Sequence, residues 1–364
     1  MVKTKFSLVG KITFTSTVIY CLALSALESL VVYFHHSFVV KFILSRQGKG
    51  ISDSDLIYHG IFISSLIYQV AFCAYSLITR NSIQLMALVV FNILSLAYAG
   101  VQIYQHIILE EQGTVGAQFI PDDEFKTAED AKYYFVNKMR PIEYIIASIV
   151  LVFSIYLSLL SYKLTKEFGW ENYKTYSADL KVRKAYVSLT ILQTLVKLDI
   201  FFIMSYAIQL IPSKLIGSPE TIFETILVFV IGFLLSSLAW YSVDKEMKYI
   251  LLIVINLCCF SLAYMAYRLV GINTPLDSDG TDPYQFTRRL LTFTLSVTFV
   301  LVCATVYYGI VCFRNMARGI YVYTVYGHSG SKNDYNISED EIKKSRRASK
   351  KAALIRTSTN ISLD

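Results

Sequence analysis

The segment TLVKLDIFFIMSYAIQ, residues 194–209, puts Lys197 and Asp199 two positions apart inside a run that otherwise belongs in oil. Its surroundings decide what it is. The 364-residue chain is 54% hydrophobic and only 17% charged, with a mean hydropathy of +0.48. A soluble domain carries roughly a quarter charged residues; such a deficit points to an interior made mostly of lipid-facing helix. A bilayer core needs about 20 apolar residues per helix, and eight windows meet that demand: 12–34, 56–78, 83–104, 142–162, 187–211, 221–241, 249–270 and 290–311. They are continuous apolar runs without the period-2 alternation of barrel strands. The expected fold is an all-α, polytopic bundle of eight spans, or seven if the first window, interrupted by Glu28, is demoted.

Lys and Arg set the expected orientation. With the tail in the cytosol, an eight-span chain places twenty-two basic residues on the cytosolic side and ten on the other, and both termini are cytosolic. The first apolar run is too long for a signal-peptide core and no A-x-A site follows it, so it is expected to stay as a span. Cys21, Cys73, Cys258, Cys259, Cys303 and Cys312 all lie in apolar runs, which argues against a loop disulfide framework. Residues 1–313 read as the membrane domain. The acidic loop 105–141 suits a lumen. The basic loop 163–186 carries Tyr173, Tyr176 and Leu180 at helical spacing and reads as an amphipathic helix on the cytosolic headgroups.

Residues 314–364 read as a cytosolic basic tail, partly disordered. Ser338 to Glu341 match a capping box, and the six basic residues among the nine from Lys343 to Lys351 would hold it to anionic lipid. Ser349, after Arg346-Arg347-Ala348, is a phosphorylation candidate whose charge would weaken that attraction. Cys312, beside Arg314 at the membrane edge, is a palmitoylation candidate.

A charge at the bilayer centre costs about 2.5–3.5 kcal/mol on insertion scales. Lys197 and Asp199 are about 200° apart around a helix, so each needs its own partner. Glu28 is the expected partner of Lys197; His59, Gln69, Asn92 and Asn256 are the candidates for Asp199. Together these seven residues make an intramembrane polar layer, either inert struts or a solute or proton path. A faint 4+4 repeat accompanies them: SSLIY (64–68) recurs as SSLAW (236–240), and SLAY (95–98) recurs at 261–264.

Enzyme signatures are sparse, with no H-E-x-x-H, P-loop or C-x-x-C. Asp277-Ser278-Asp279 lacks a nucleotide-sugar domain around it, and the same loop fails the EF-hand pattern. His35 and His36 stand at a membrane boundary without a carboxylate or cysteine at ligand spacing, and read as interfacial. No metal, cofactor or nucleic-acid partner is expected. Seven-span receptor marks are missing too: no D-R-Y-like end to span three, no late N-P-x-x-Y.

EFGWENYKTYSADLKVRKAY followed by LVKLDIFFIMSYAIQ resembles the uncharacterised fungal family of multi-pass Golgi apparatus membrane proteins. That family has a W-x-x-Y-K…A-D…R segment leading into L-K-x-D-x-F-F…Q. The matching positions are Trp170, Tyr173, Lys174, Ala178, Asp179, Arg183, Lys197, Asp199, Phe201, Phe202 and Gln209. Residues 80–105 and 288–293 are similar as well. Ser177 departs from an expected glycine, and the tail after Gly327 has no family counterpart. The resemblance implies a Golgi membrane location and no activity. The expected function is a non-enzymatic membrane component that organises, escorts or retains other proteins, with lipids and membrane proteins as partners. A transporter or channel is the alternative, a receptor a weaker one.

Overall fold

The computed structural model describes residues 7–175, 180–211, 220–274, 284 and 287–322. Eight long helices follow one another: α1 (Leu8–Val39), α2 (Arg46–Ile78), α3 (Ser82–Ile108), α4 (Ala128–Thr175), α5 (Leu180–Gln209), α6 (Glu220–Asp244), α7 (Lys248–Asn273) and α8 (Arg288–Ala317). All eight are long and apolar enough to cross a membrane, as the sequence windows require.

Local signals start and stop them. The Ser7 and Ser45 hydroxyls accept from the amides of Gly10 and Gly48, each at 3.1 Å, and Asn81 Oδ1 accepts from Ile83 and Gln84. These side chains satisfy amides that a helix start leaves open. At the α2–α3 turn Arg80 is left-handed (φ 49°), and the Asn81 amide donates to the Ser76 carbonyl at 3.0 Å. At the α6–α7 turn Glu246 has the same φ, and the Met247 amide donates to the Ser242 carbonyl at 2.9 Å. The two turns are one motif, a Schellman closure, 166 residues apart.

That offset organises the molecule. Helix α1 packs on α2 and α4, α2 on α3, and α3 on α4, so the first four helices close a ring in chain order. In the second half α5 packs on α6 and α8, α6 on α7, and α7 on α8. SLAY sits at equivalent places: the Tyr98 hydroxyl reaches the Tyr58 carbonyl and the Tyr264 hydroxyl reaches the Glu224 carboxylate, each target again 166 apart. The 4+4 reading of the sequence therefore finds support in both turns and packing. The SSLIY/SSLAW match, at an offset of 172, is out of register with it and is coincidental.

Packing joins the halves through α2 and α3 against α5, and α3 against α8. An aromatic group fills this seam, with Phe91 ring centroids 5.3, 5.0 and 5.6 Å from Tyr68, Phe201 and Phe202. Gly232 lets α6 approach α5, since a Cβ there would strike the Ile203 side chain; small residues at such crossings are the usual device of membrane helices.

Two expected loops are mostly helix. In 105–141, α3 runs to Ile108 and a π-helical turn covers Leu109–Gly113, while α4 already begins at Ala128. In 163–186, α4 continues to Thr175 and α5 starts at Leu180, so the described part extends the spans and is no separate surface helix. Apolar windows mark only the oily core of a helix, and these helices continue as polar turns beyond it. The side chains of residues 170–180, including Trp170, Tyr173 and Tyr176, lie outside the described residues.

A small cap closes the α1–α4 end away from the Arg80 turn. Strand β1 (Phe42–Ile43) pairs antiparallel with β2 (Gln118–Phe119), Phe42 opposite Phe119. Beneath it Phe38, Phe42, Phe125, Phe135 and Met139 form an apolar cluster. Lys41 binds Asp122. That ammonium, with the amides of Phe125 and Glu124, holds the Asp122 carboxyl below the ordinary carboxylate range. A depressed folded pKa contributes stability above the unfolded value of about 3.9 and loses it as pH falls through the folded value. Hydrogen exchange at the Ile120 amide, bonded to the Lys41 carbonyl at 2.9 Å, should thus be flat from neutral pH to about 4 after correction for intrinsic rate, then quicken. Asp122→Asn should remove that acid-side change.

Candidate functional site

Polar side chains collect at one depth in each half. In the first, Glu28 and His35 stand seven apart on one face of α1. Ser52, Asp55 and His59 line α2 at i, i+3 and i+7, and Gln102 and His106 stand four apart on α3. Glu143 joins from α4. All are buried. His59 Nδ1 is 2.8 Å from Glu28 Oε1, and Gln102 Nε2 donates to that same oxygen at 2.7 Å. His59 Nε2 faces Asp55 Oδ2 at 3.2 Å, and His35 Nδ1 faces it at 2.9 Å. His35 Nε2 meets the Ser52 hydroxyl at 2.9 Å, and His106 Nδ1 meets Glu143 Oε1 at 2.5 Å. The nitrogens of His35 and His59 and an oxygen of Asp55 lie within 4.8 Å of one another, near enough to share a metal ion. The π-helical turn begins three residues after His106, and such turns are frequent at functional sites. It carries Glu110, whose Oε2 accepts from Arg140 at 2.6 Å.

The second half holds its polar group at the matching level. Arg268, which is Gln102 moved by 166, lies 2.7 Å from Glu224 Oε1 and donates to the Tyr284 hydroxyl at 2.6 Å. Tyr264 donates to the same Glu224 carboxylate. Thus Glu224 and Arg268, which a reading by depth alone leaves without a role, form the counterpart of the Glu28–His59–Gln102 group.

The centre of the molecule does not join the seven expected residues into one layer. Asp199 Oδ2 accepts from the Thr305 hydroxyl of α8 at 2.6 Å. None of its four candidate partners reaches it. Lys197 does not pair with Glu28, because α1 packs on α2 and α4, and Glu28 faces His59 there. Its ammonium lies 3.4 Å from the Tyr75 ring centroid and 5.1 Å from that of Trp240, a cation–π arrangement. Gln69 donates to Ser95 at 3.2 Å. Asn92 accepts from Tyr20 at 3.0 Å and donates to Ser154 at 2.7 Å, tying α1, α3 and α4. Asn256 is exposed and donates within its own helix to the Leu252 carbonyl.

Similarity to known proteins bears on what these groups serve. The chain is 22% identical over 326 residues to the UPF0658 Golgi apparatus membrane protein of Schizosaccharomyces pombe, covering 85% of this chain and 90% of that protein. The resemblance to the fungal Golgi family holds. With eight candidate spans, the chain is a multi-pass Golgi membrane protein. No protein-family model and no solved structure matches it.

Three expectations for this Golgi protein change. His35 is not interfacial: it is buried against Asp55 while His36 alone is exposed. The signal for it was present as Asp55-x3-His59 and Gln102-x3-His106, two polar pairs each on one helical face. Cys312 is buried beside Met316 and Glu246, so its thiol is enclosed and unsuited to acylation. The folded body reaches Val322, whose amide donates to Glu246 at 2.7 Å, beyond the expected boundary at 313. Ser349 and the rest of the basic tail, with its lipid contacts, lie outside the described residues, as does Asp277-Ser278-Asp279.

Proposed function

We propose that the protein is a non-enzymatic component of the Golgi membrane that organises, escorts or retains other membrane proteins, its intramembrane polar residues serving as internal struts. The observation that carries this reading is the enclosure of those residues other than Asn256: Glu28, His59, Gln69, Asn92, Lys197 and Asp199 are all buried. Glu28, Arg268 and Asp199 each bond to neighbours inside separate groups, and two cavities among the described residues are small. The seam cavity between Phe91, Ser95, Phe201, Ser205 and Phe293 has about 20 Å³, room for a single water. A second, of about 10 Å³, adjoins Thr305. Neither admits a solute.

Asp199→Asn tests this. As a strut, Asp199 accepts one hydrogen bond, which the amide oxygen of Asn can keep, so the variant should reach the Golgi at near-normal abundance and retain its cellular phenotype. Normal localisation with a lost phenotype would turn the reading over to a path. That second reading, a transporter, has one observation of its own: parallel repeats with matched polar groups are an architecture transporters use.

A further inference from the structure

We propose that His35, Asp55, His59 and His106 form a closed four-donor site for a divalent cation of the zinc class, tying α1, α2 and α3 together beneath the β1–β2 cap. This does not rest on the reading above, since a structural ion suits a scaffold and a transporter alike.

Donor spacing comes first. Around a tetrahedral ion with metal–nitrogen distances of about 2.0–2.1 Å, neighbouring donor atoms lie roughly 3.3 Å apart. Asp55 Oδ2 is 2.9 Å from His35 Nδ1 and 3.2 Å from His59 Nε2. Each imidazole is also held from behind: His35 by Ser52, His59 by Glu28 and His106 by Glu143. Metal-binding histidines almost always bond an outer carboxylate, carbonyl or water through the second nitrogen, which fixes tautomer and ring orientation. Two of the three outer partners here are carboxylates.

What is left over points the same way. His106 Nε2 and Asp55 Oδ1 are buried with no hydrogen-bond partner among the described residues. A buried polar atom without a partner needs a reason; a bound ion supplies one for His106 Nε2, while Asp55 would reach the ion through the Oδ2 that faces His35 and His59. The His106 ring centroid lies 5.7 Å from that of His35 and 5.8 Å from that of His59, which are 6.4 Å from each other. Three imidazoles on one tetrahedral ion stand about 5 Å apart; the donor atoms of His35, Asp55 and His59 already lie within 4.8 Å of one another, and His106, outside that group, completes the site by moving inward. Three imidazoles and a carboxylate select zinc over magnesium or calcium, which take oxygen donors. With all four positions filled by protein, the site is structural rather than catalytic.

The full-length chain, purified in detergent and stripped with EDTA, is incubated with Zn²⁺, desalted and assayed for zinc and thermal unfolding. The site predicts about one zinc per chain and a raised unfolding temperature. Glu143→Gln should weaken zinc binding about 10–100-fold, while Asn256→Ala should leave it unchanged. Should the donor variants His59→Gln and Asp55→Asn fail to fold, Co²⁺ substitution of the wild-type chain decides: visible bands of a tetrahedral site support the assignment, and their absence overturns it. A wild-type chain that takes up no zinc, or folded donor variants that retain it undiminished, overturns it as well.

Discussion

His59→Ala should destabilise the α1–α4 half by about 3–5 kcal/mol, the range for removing one partner from a buried charged pair. His59 is 1% exposed and touches Glu28 through one nitrogen and Asp55 through the other. Removing the ring leaves the Glu28 and Asp55 carboxylates buried without the imidazole they share. Gln102 keeps its bond to Glu28 but cannot reach across to Asp55's side of the lost imidazole. Thermal unfolding of the purified chain checks this, with Asn256→Ala as the reference. Asn256 is exposed and bonds only within its own helix, so its loss should stay within about 0.5 kcal/mol.

Phe91→Ala should cost a similar amount for a different reason. Deleting a buried aromatic ring removes its transfer free energy and leaves a cavity, typically about 3–5 kcal/mol. Phe91 is 2% exposed and its ring meets one aromatic residue from α2 and two from α5. Phe91 sits at the centre of the contacts between the halves, which also include Tyr68 with the Lys197 carbonyl, Lys197 with Tyr75, and Tyr98 with Phe293, so the loss falls on their coupling as well as on the total. The unfolding transition should broaden or split as the halves cease to melt together. Phe91→Leu, which fills most of the space, should recover much of the loss.

The spans were legible because a bilayer core imposes one requirement, about 20 apolar residues, that the chain meets eight times. Helix ends were less so: α4 runs 48 residues, and its polar ends carry no apolar signal. Charge pairing was not legible at all. Helical period tells which face Glu28 or Lys197 occupies, but the partner depends on which helices are neighbours. Lys197 sits beside Tyr75 and Trp240 rather than a carboxylate, and aromatic residues near a cation leave no mark in sequence. For His35, Asp55 and His106 the helical faces show in the sequence as Asp55-x3-His59 and Gln102-x3-His106, but which helices meet to bury them does not. The repeat was the reverse case. A four-residue match too short to trust became informative once the Arg80 and Glu246 turns shared its offset.

Enclosure of the intramembrane polar groups is the claim on which the proposed function depends, and thiol accessibility tests it most directly. Ser205 is buried and lines the water-sized cavity at the seam, and Ser→Cys is a small change. With the six native cysteines replaced, Ser205→Cys and Ser95→Cys would be exposed to a charged, membrane-impermeant thiosulfonate from each side of sealed vesicles. The enclosed core predicts that neither thiol reacts until the protein is denatured. Labelling of either one in the folded protein, from either side, would contradict it and reveal an aqueous path.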